Sequence, residues 1–93
     1  MERKFAQSWN KAREQAAELG VRMRPVKPGE ELAQARYCLS GHRPSDGFGM
    51  LAQKGRLDLS LEALAVKKPF TELFDDEQAN NALTRLLEAG FFG

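Results

Sequence analysis

The sequence predicts an all-α fold, a small single-domain bundle of four to five helices with a proline-bearing linker after the first helix. Apolar residues recur at helical spacing near both ends of the chain, and glycines and prolines divide the middle into short segments. A chain of 93 residues can enclose one modest hydrophobic core but not two. Residues 1–93 are therefore expected to form a single helical domain.

Residues 1–20 are predicted to form an amphipathic N-terminal helix. Apolar residues recur from Phe5 to Leu19 at intervals of three or four, charged residues occupy the other faces, and Gly20 is placed to end the helix. We expect Phe5 and Trp9 to pack in the core. The alternative is that this aromatic pair forms a partner-binding stripe on the surface.

An extended, basic linker is predicted over residues 21–29. Apolar and basic residues alternate at its start, and Pro25 and Pro28 lack the backbone N–H that a helix or an inner strand needs. The same two prolines form a PxxP spacing, which could dock into an aromatic groove of another protein. A stiff connection between two helices explains the prolines equally well.

The region 30–74 is predicted to contain three short helices and a final helical turn. The first helix covers residues 30–39. The second follows a polar loop, is capped by Ser45 or Asp46, and ends at Gly55.

Residues 57–61 fit two different structures. Leucines alternate there with Asp58 and Ser60, which is a strand pattern, whereas the apolar residues that follow favour a helix. We expect a helix that is capped by Asp58 or Ser60 and ended by Pro69. A single helical turn over residues 70–74 then leads into the last helix.

The clearest helix signals lie in residues 75–89. Asp75 is a favourable N-cap, Gln78 completes a capping-box pattern, and Gly90 is placed to end the helix. This helix is expected to be central to the core. The predicted core residues are Trp9, Leu19, Leu32, Leu51, Leu61, Leu64, Leu73, Phe74, Leu83, Leu86 and Leu87.

Positive and negative charges divide between the two halves of the chain. Residues 1–43 carry nine Lys and Arg against five acids, and residues 44–93 carry five against eight, although the net charge is only +1. This division permits a basic face for nucleic acid or an acidic protein, attraction between the two halves or between copies of the chain, or pairing of the arginines with acids such as Asp75, Asp76 and Glu77. A solvated surface of mixed charge is the favoured interpretation. The candidate contact residues for a partner or a nucleic acid are Arg22, Arg24, Lys27, His42 and Arg43.

No enzymatic chemistry is predicted. His42 and Cys38 are the only residues of their kinds, so a zinc site lacks ligands, and the glycine spacings match neither a Walker loop nor a dinucleotide-binding loop. Cys38 is expected to be a packing residue and His42 a hydrogen-bonding loop residue. We therefore expect no catalytic residue, no cofactor and no metal, and a protein that is not an enzyme.

Residues 51–57, followed by a helix capped by Ser60, have the order of a helix-turn-helix: first helix, glycine turn, second helix. The second helix offers Glu62 near its start and lysines only at its end, whereas base-reading side chains lie near the start. Specific DNA reading by this element is therefore disfavoured. Non-specific phosphate contact by the basic first half stays open.

The composition indicates a cytoplasmic protein without a membrane segment. The N-terminus is charged and lacks an apolar signal region, there is one cysteine, and no apolar run approaches the roughly 18 residues of a membrane helix. We expect a non-enzymatic protein-binding or regulatory module, typical of bacterial or mobile-element accessory proteins, whose partner is another protein or a second copy of itself. The alternative is a nucleic-acid-binding protein that uses the basic N-terminal half.

Overall fold

The fold of the chain is all-α, as the sequence predicts. The computed structural model describes residues 2–23, 25–41 and 43–91. These residues form five α-helices and two short 3-10 helices, the latter at Leu57–Leu59 and Phe70–Leu73. In chain order the α-helices are α1 (Glu2–Glu18), α2 (Glu31–Ser40), α3 (Phe48–Gln53), α4 (Leu61–Ala65) and α5 (Asp76–Glu88).

The short helix α4 lies at the centre of the bundle. All five of its residues are buried, and it packs against α1, α5 and both 3-10 helices. Ser60 caps α4, because its hydroxyl accepts a hydrogen bond from the Ala63 N–H at 3.1 Å. Since α4 has no exposed face, it cannot enter a DNA groove, and the helix-turn-helix interpretation of this region is wrong.

Phe5 and Trp9 of α1 pack in the core, as expected. Phe5 is fully buried, and its ring meets the rings of Phe70 and Phe74 edge-on, with centroids 5.6 and 5.5 Å apart. Edge-to-face contacts of this kind add to the free energy that is gained by burying the rings. A partner-binding stripe formed by Phe5 and Trp9 is thereby excluded.

Helix α5 has the predicted start but not the predicted buried face. The Asp75 side chain accepts a hydrogen bond from the Gln78 N–H at 2.7 Å, and the Gln78 side chain accepts one from the Asp75 N–H at 3.1 Å, so the capping box is present. Leu86 is buried, whereas Leu83 and Leu87 are 39% and 57% exposed. The prediction that Leu83 and Leu87 belong to the core is wrong. The other predicted core residues are buried or partly buried.

Two helix boundaries in the middle of the chain also differ from the prediction. Gly47 occupies the N-cap position of α3, and no side-chain hydrogen bond caps that helix, because the Ser45 hydroxyl is bound to Glu62 instead. Helix α4 ends at Ala65 and does not continue to Pro69. Residues 57–61 contain a 3-10 turn and the start of α4, so the helical expectation for them is correct.

Candidate functional site

The predicted contact residues that the structure describes are all on the surface. Arg22, Lys27 and Arg43 are exposed. Arg24 and His42 lie outside the described residues. Their exposure suits contact with a partner, but it does not show whether these cations lie near one another.

Lys27 and Arg43 line two surface depressions that share the exposed Tyr37. Lys27 lines a surface depression beside Tyr37, and Arg43 lines a second depression that Tyr37 also borders. Arg22 lies apart, against α1 beside Arg13. We call Lys27, Tyr37 and Arg43 the Tyr37 face.

Tyr37 was not among the predicted contact residues. It is 77% exposed, because α2 buries Ala35 and Leu39 on one side and directs Tyr37 to the other. The helical spacing of Ala35 and Leu39 could have predicted this exposure, since Tyr37 falls outside the apolar stripe that they form. An exposed tyrosine offers a flat ring for stacking and a hydroxyl for hydrogen bonding.

Glu31 fixes the turn between Lys27 and α2. Its carboxylate accepts a hydrogen bond from the Gly29 N–H at 2.9 Å and one from the Asn10 side chain at 3.3 Å, which ties the linker and α2 to α1. The backbone N–H of Glu31 itself, followed by Asn10 and Gly29, lowers the pKa of the Glu31 carboxyl below its ordinary value. The charged carboxylate therefore holds the end of the linker in place.

A buried ion pair fixes the loop that carries Arg43. Glu62 is fully buried and accepts hydrogen bonds from the Ser45 N–H at 2.9 Å, from the Ser45 hydroxyl, and from Arg85 at 3.1 Å. Arg85 also donates to the backbone carbonyls of Cys38, at 3.3 Å, and Gly41. Charges are buried in proteins when they are paired and hydrogen-bonded in this way. The Glu62–Arg85 pair thus joins α4 and α5 to both ends of the loop.

Gly47 completes the attachment of this loop to the linker. Its φ of +79° lies in the left-handed region, and a Cβ atom built there would lie 2.7 Å from Cγ1 of Val21. Only glycine fits a positive φ and so close a contact without strain. The loop therefore packs directly on the start of the linker.

Cys38 is half-buried between these segments. Burial raises the pKa of its thiol above the ordinary value, and the Gln34 side chain lies 3.7 Å from the sulfur. A raised pKa lowers the fraction of reactive thiolate at neutral pH. The arrangement agrees with the expected role of Cys38 in packing.

The second candidate surface is on α5. Leu83 and Leu87 lie one turn apart and are both exposed. Arg85 is buried, and it projects from the opposite side of the helix, so its burial turns the two leucines outward. We call Leu83 and Leu87, together with the exposed acids of residues 72–88, the α5 face. These acids are Glu72, Asp75, Asp76, Glu77 and Glu88.

In the described part of the structure, the observed ion pairs do not join the basic first half of the chain to the acidic second half. The ion pairs seen there are Arg56–Asp58 and Arg85–Glu62, and each joins two residues of the second half. The suggested pairing of Arg22 with Asp75, Asp76 or Glu77 is absent among these residues. Among the described residues, Arg22 and the acids Asp75, Asp76 and Glu77 are all exposed.

Within residues 2–23, 25–41 and 43–91, no group of three or more His, Cys, Asp or Glu side chains is arranged to hold a metal ion. None of the helices in these ranges is both long and apolar enough to cross a bilayer. Comparison of the chain with protein-family models, with curated proteins and with solved structures finds no match.

Proposed function

We propose that this protein is a non-enzymatic module that binds a protein partner through the α5 face. The observation that carries this proposal is that Leu83 and Leu87 stay exposed on adjacent turns of a helix rich in leucine. Large apolar side chains that adjoin on a surface mark interaction sites more reliably than scattered ones. A partner that covered both leucines would remove their apolar area from water, which favours association.

The exposed charges in the same stretch of the chain indicate the chemistry of the partner. Every exposed charge from residue 72 to residue 91 is acidic, because the one cation in that stretch, Arg85, is buried against Glu62. Leucines one turn apart form a ridge that fits between the side chains of a second helix. The partner that complements this face is therefore an amphipathic helix with an apolar stripe flanked by Lys or Arg.

A second copy of the same face does not meet this requirement. Two α5 faces that approached each other would bring five acids on each side into proximity, and like charges at an interface oppose association. We therefore expect the partner to be a different protein.

The test measures capture from an extract of the native host by three forms of the protein: wild type, the double variant Leu83→Ser/Leu87→Ser, and Met50→Ser. Met50 is 47% exposed, so its replacement removes apolar area at another place and serves as the matched control. Each captured protein is then purified and titrated with all three forms. We expect a partner whose affinity for the double variant is at least about tenfold lower, a loss of about 1.4 kcal/mol or more, and whose affinity for Met50→Ser is unchanged.

Two further measurements complete this test. Melting curves should show that all three forms are folded, because the replaced side chains are exposed, and higher salt should weaken binding because the flanking contacts are charged. Capture of the same proteins by wild type and by the double variant, or capture of none, would contradict the proposal. A wild-type dimer in sedimentation that the double variant dissociates would identify the partner as a second copy instead.

A further inference from the structure

We propose a second binding site, on the Tyr37 face, for single-stranded nucleic acid. One unpaired base would stack on the exposed ring of Tyr37, while Lys27 and Arg43 would contact the phosphates on either side of that base. The site is separate from the α5 face and does not depend on the protein partner proposed there. Stacking on an aromatic ring combined with cationic contacts to the backbone is the usual chemistry of single-strand binding.

The ring of Tyr37 is presented on a firmly held helix. It is 77% exposed, and within the described part of the chain its side chain forms no hydrogen bond or ring contact. Helix α2 is anchored to α5, because Asn81 donates a hydrogen bond to the Leu39 carbonyl at 2.8 Å and Gln78 donates one to the Ser40 hydroxyl at 3.0 Å. Because the helix is held, stacking has to fix only the two side-chain torsions of Tyr37, which costs little conformational entropy.

The two cations lie on segments whose backbones are also held in place. The turn after Lys27 is fixed by the bond from Gly29 to Glu31, and the loop that carries Arg43 is fixed by the Glu62–Arg85 pair. Among the described residues neither Lys27 nor Arg43 is engaged in an ion pair or hydrogen bond. Both charges are therefore available to phosphate.

This geometry favours a single strand over the other anionic partners. A duplex keeps its bases stacked inside and offers Tyr37 no free ring face, whereas an unpaired base does. A phosphopeptide is bound by cations that converge on one phosphate, but Lys27 and Arg43 line two separate depressions, each of which Tyr37 also lines. Spaced cations suit successive phosphates of a strand.

Two acids lie at the edge of the site, and one of them limits its affinity. Glu30 lines the depression with Lys27, and Asp46 lines the one with Arg43. The negative charge of the exposed Glu30 opposes phosphate, so binding should be weak, with a dissociation constant of about 10⁻⁴ to 10⁻⁶ M at low salt. Removing the exposed carboxylate of Glu30 by Glu30→Gln should strengthen binding.

The experiment is a fluorescence anisotropy titration of the full chain against a labelled oligothymidylate of about ten nucleotides, at about 50 mM salt. Tyr37→Ala should weaken binding by about 5- to 100-fold, whereas Tyr37→Phe, which keeps the ring, should bind like wild type. Lys27→Gln and Arg43→Gln should each reduce the slope of log K against log salt by about 0.7. Met50→Ala removes an exposed apolar side chain elsewhere and should leave binding unchanged.

The outcomes that overturn the site are equally specific. They are no anisotropy change with about 10⁻⁴ M protein at the lower salt, or equal binding by wild type and Tyr37→Ala. Tighter binding of a duplex of the same length, or of an acidic phosphopeptide, would also assign the face to a different ligand. Because every replaced side chain is exposed, melting curves of all variants should match wild type, and a loss of binding then reports on the contact itself.

Discussion

Replacing Glu62 with alanine should lower the free energy of unfolding by about 3–5 kcal/mol, because it leaves a buried cation without its partner. Arg85 would keep its bonds to the Cys38 and Gly41 carbonyls but lose the carboxylate that balances its charge. The N–H and hydroxyl of Ser45 would lose their acceptor in the same variant. Urea unfolding followed by circular dichroism measures the loss.

Two variants serve as controls for the Glu62 experiment. Glu72→Ala removes an exposed acid and should change stability by less than about 0.5 kcal/mol. The double variant Glu62→Leu/Arg85→Met removes both charges, so it should be more stable than Glu62→Ala, which leaves one charge unpaired. A cost below about 1 kcal/mol for Glu62→Ala would contradict the role of this pair in the fold.

Leu86→Ala should be destabilising by about 2–5 kcal/mol, because Leu86 is fully buried in a cluster with α1, α3 and α4 residues and its removal leaves a cavity. The same substitution at its helix neighbours provides matched controls. Leu87→Ala removes a side chain that is more than half exposed, so it should cost less than about 1 kcal/mol, and Leu83→Ala, at 39% exposure, should cost clearly less than Leu86→Ala. A larger cost at Leu83 or Leu87 than at Leu86, measured by urea unfolding, would mean that α5 packs with the other side inward.

Local signals in the sequence predict most of the helices. Asp75 and Gln78 stand three residues apart before an apolar pattern, and the structure contains the capping box that this spacing predicts. Ser60 likewise caps the helix that follows it. Each of these features depends on hydrogen bonds between residues close in the chain, and for that reason the sequence alone is enough to predict them.

The rotation of α5 could not be predicted in the same way. Three closely spaced leucines fit either of two buried faces, and Arg85 is a residue that patterns normally place outside. Arg85 is buried because it forms an ion pair and a hydrogen bond with the buried carboxylate of Glu62, 23 residues earlier in the chain. Since Arg85 and Leu87 are about 200° apart around the helix, burying the arginine exposes Leu87.

The sequence predicted two of the three residues of the Tyr37 face, Lys27 and Arg43, but not Tyr37 or the arrangement of the three. The exposure of Lys27 and Arg43 follows from their charge and from the prolines, glycines and polar residues around them. Their placement in depressions that share Tyr37 depends on how the linker and the loop pack against α2. That packing is set by Gly47 against Val21 and by the Glu62–Arg85 pair, which join residues distant in sequence.

Thiol labelling of cysteine variants tests most directly whether Leu83 and Leu87 face solvent while Leu86 faces the core. Leu83→Cys, Leu86→Cys and Leu87→Cys are each made in a Cys38→Ser background, and native-state labelling rates are divided by the rates in urea. We expect ratios within about tenfold of one at positions 83 and 87, and protection of more than about a hundredfold at position 86, where labelling needs an opening of the structure. Protection at positions 83 and 87 with rapid labelling at position 86 would contradict the exposed α5 face.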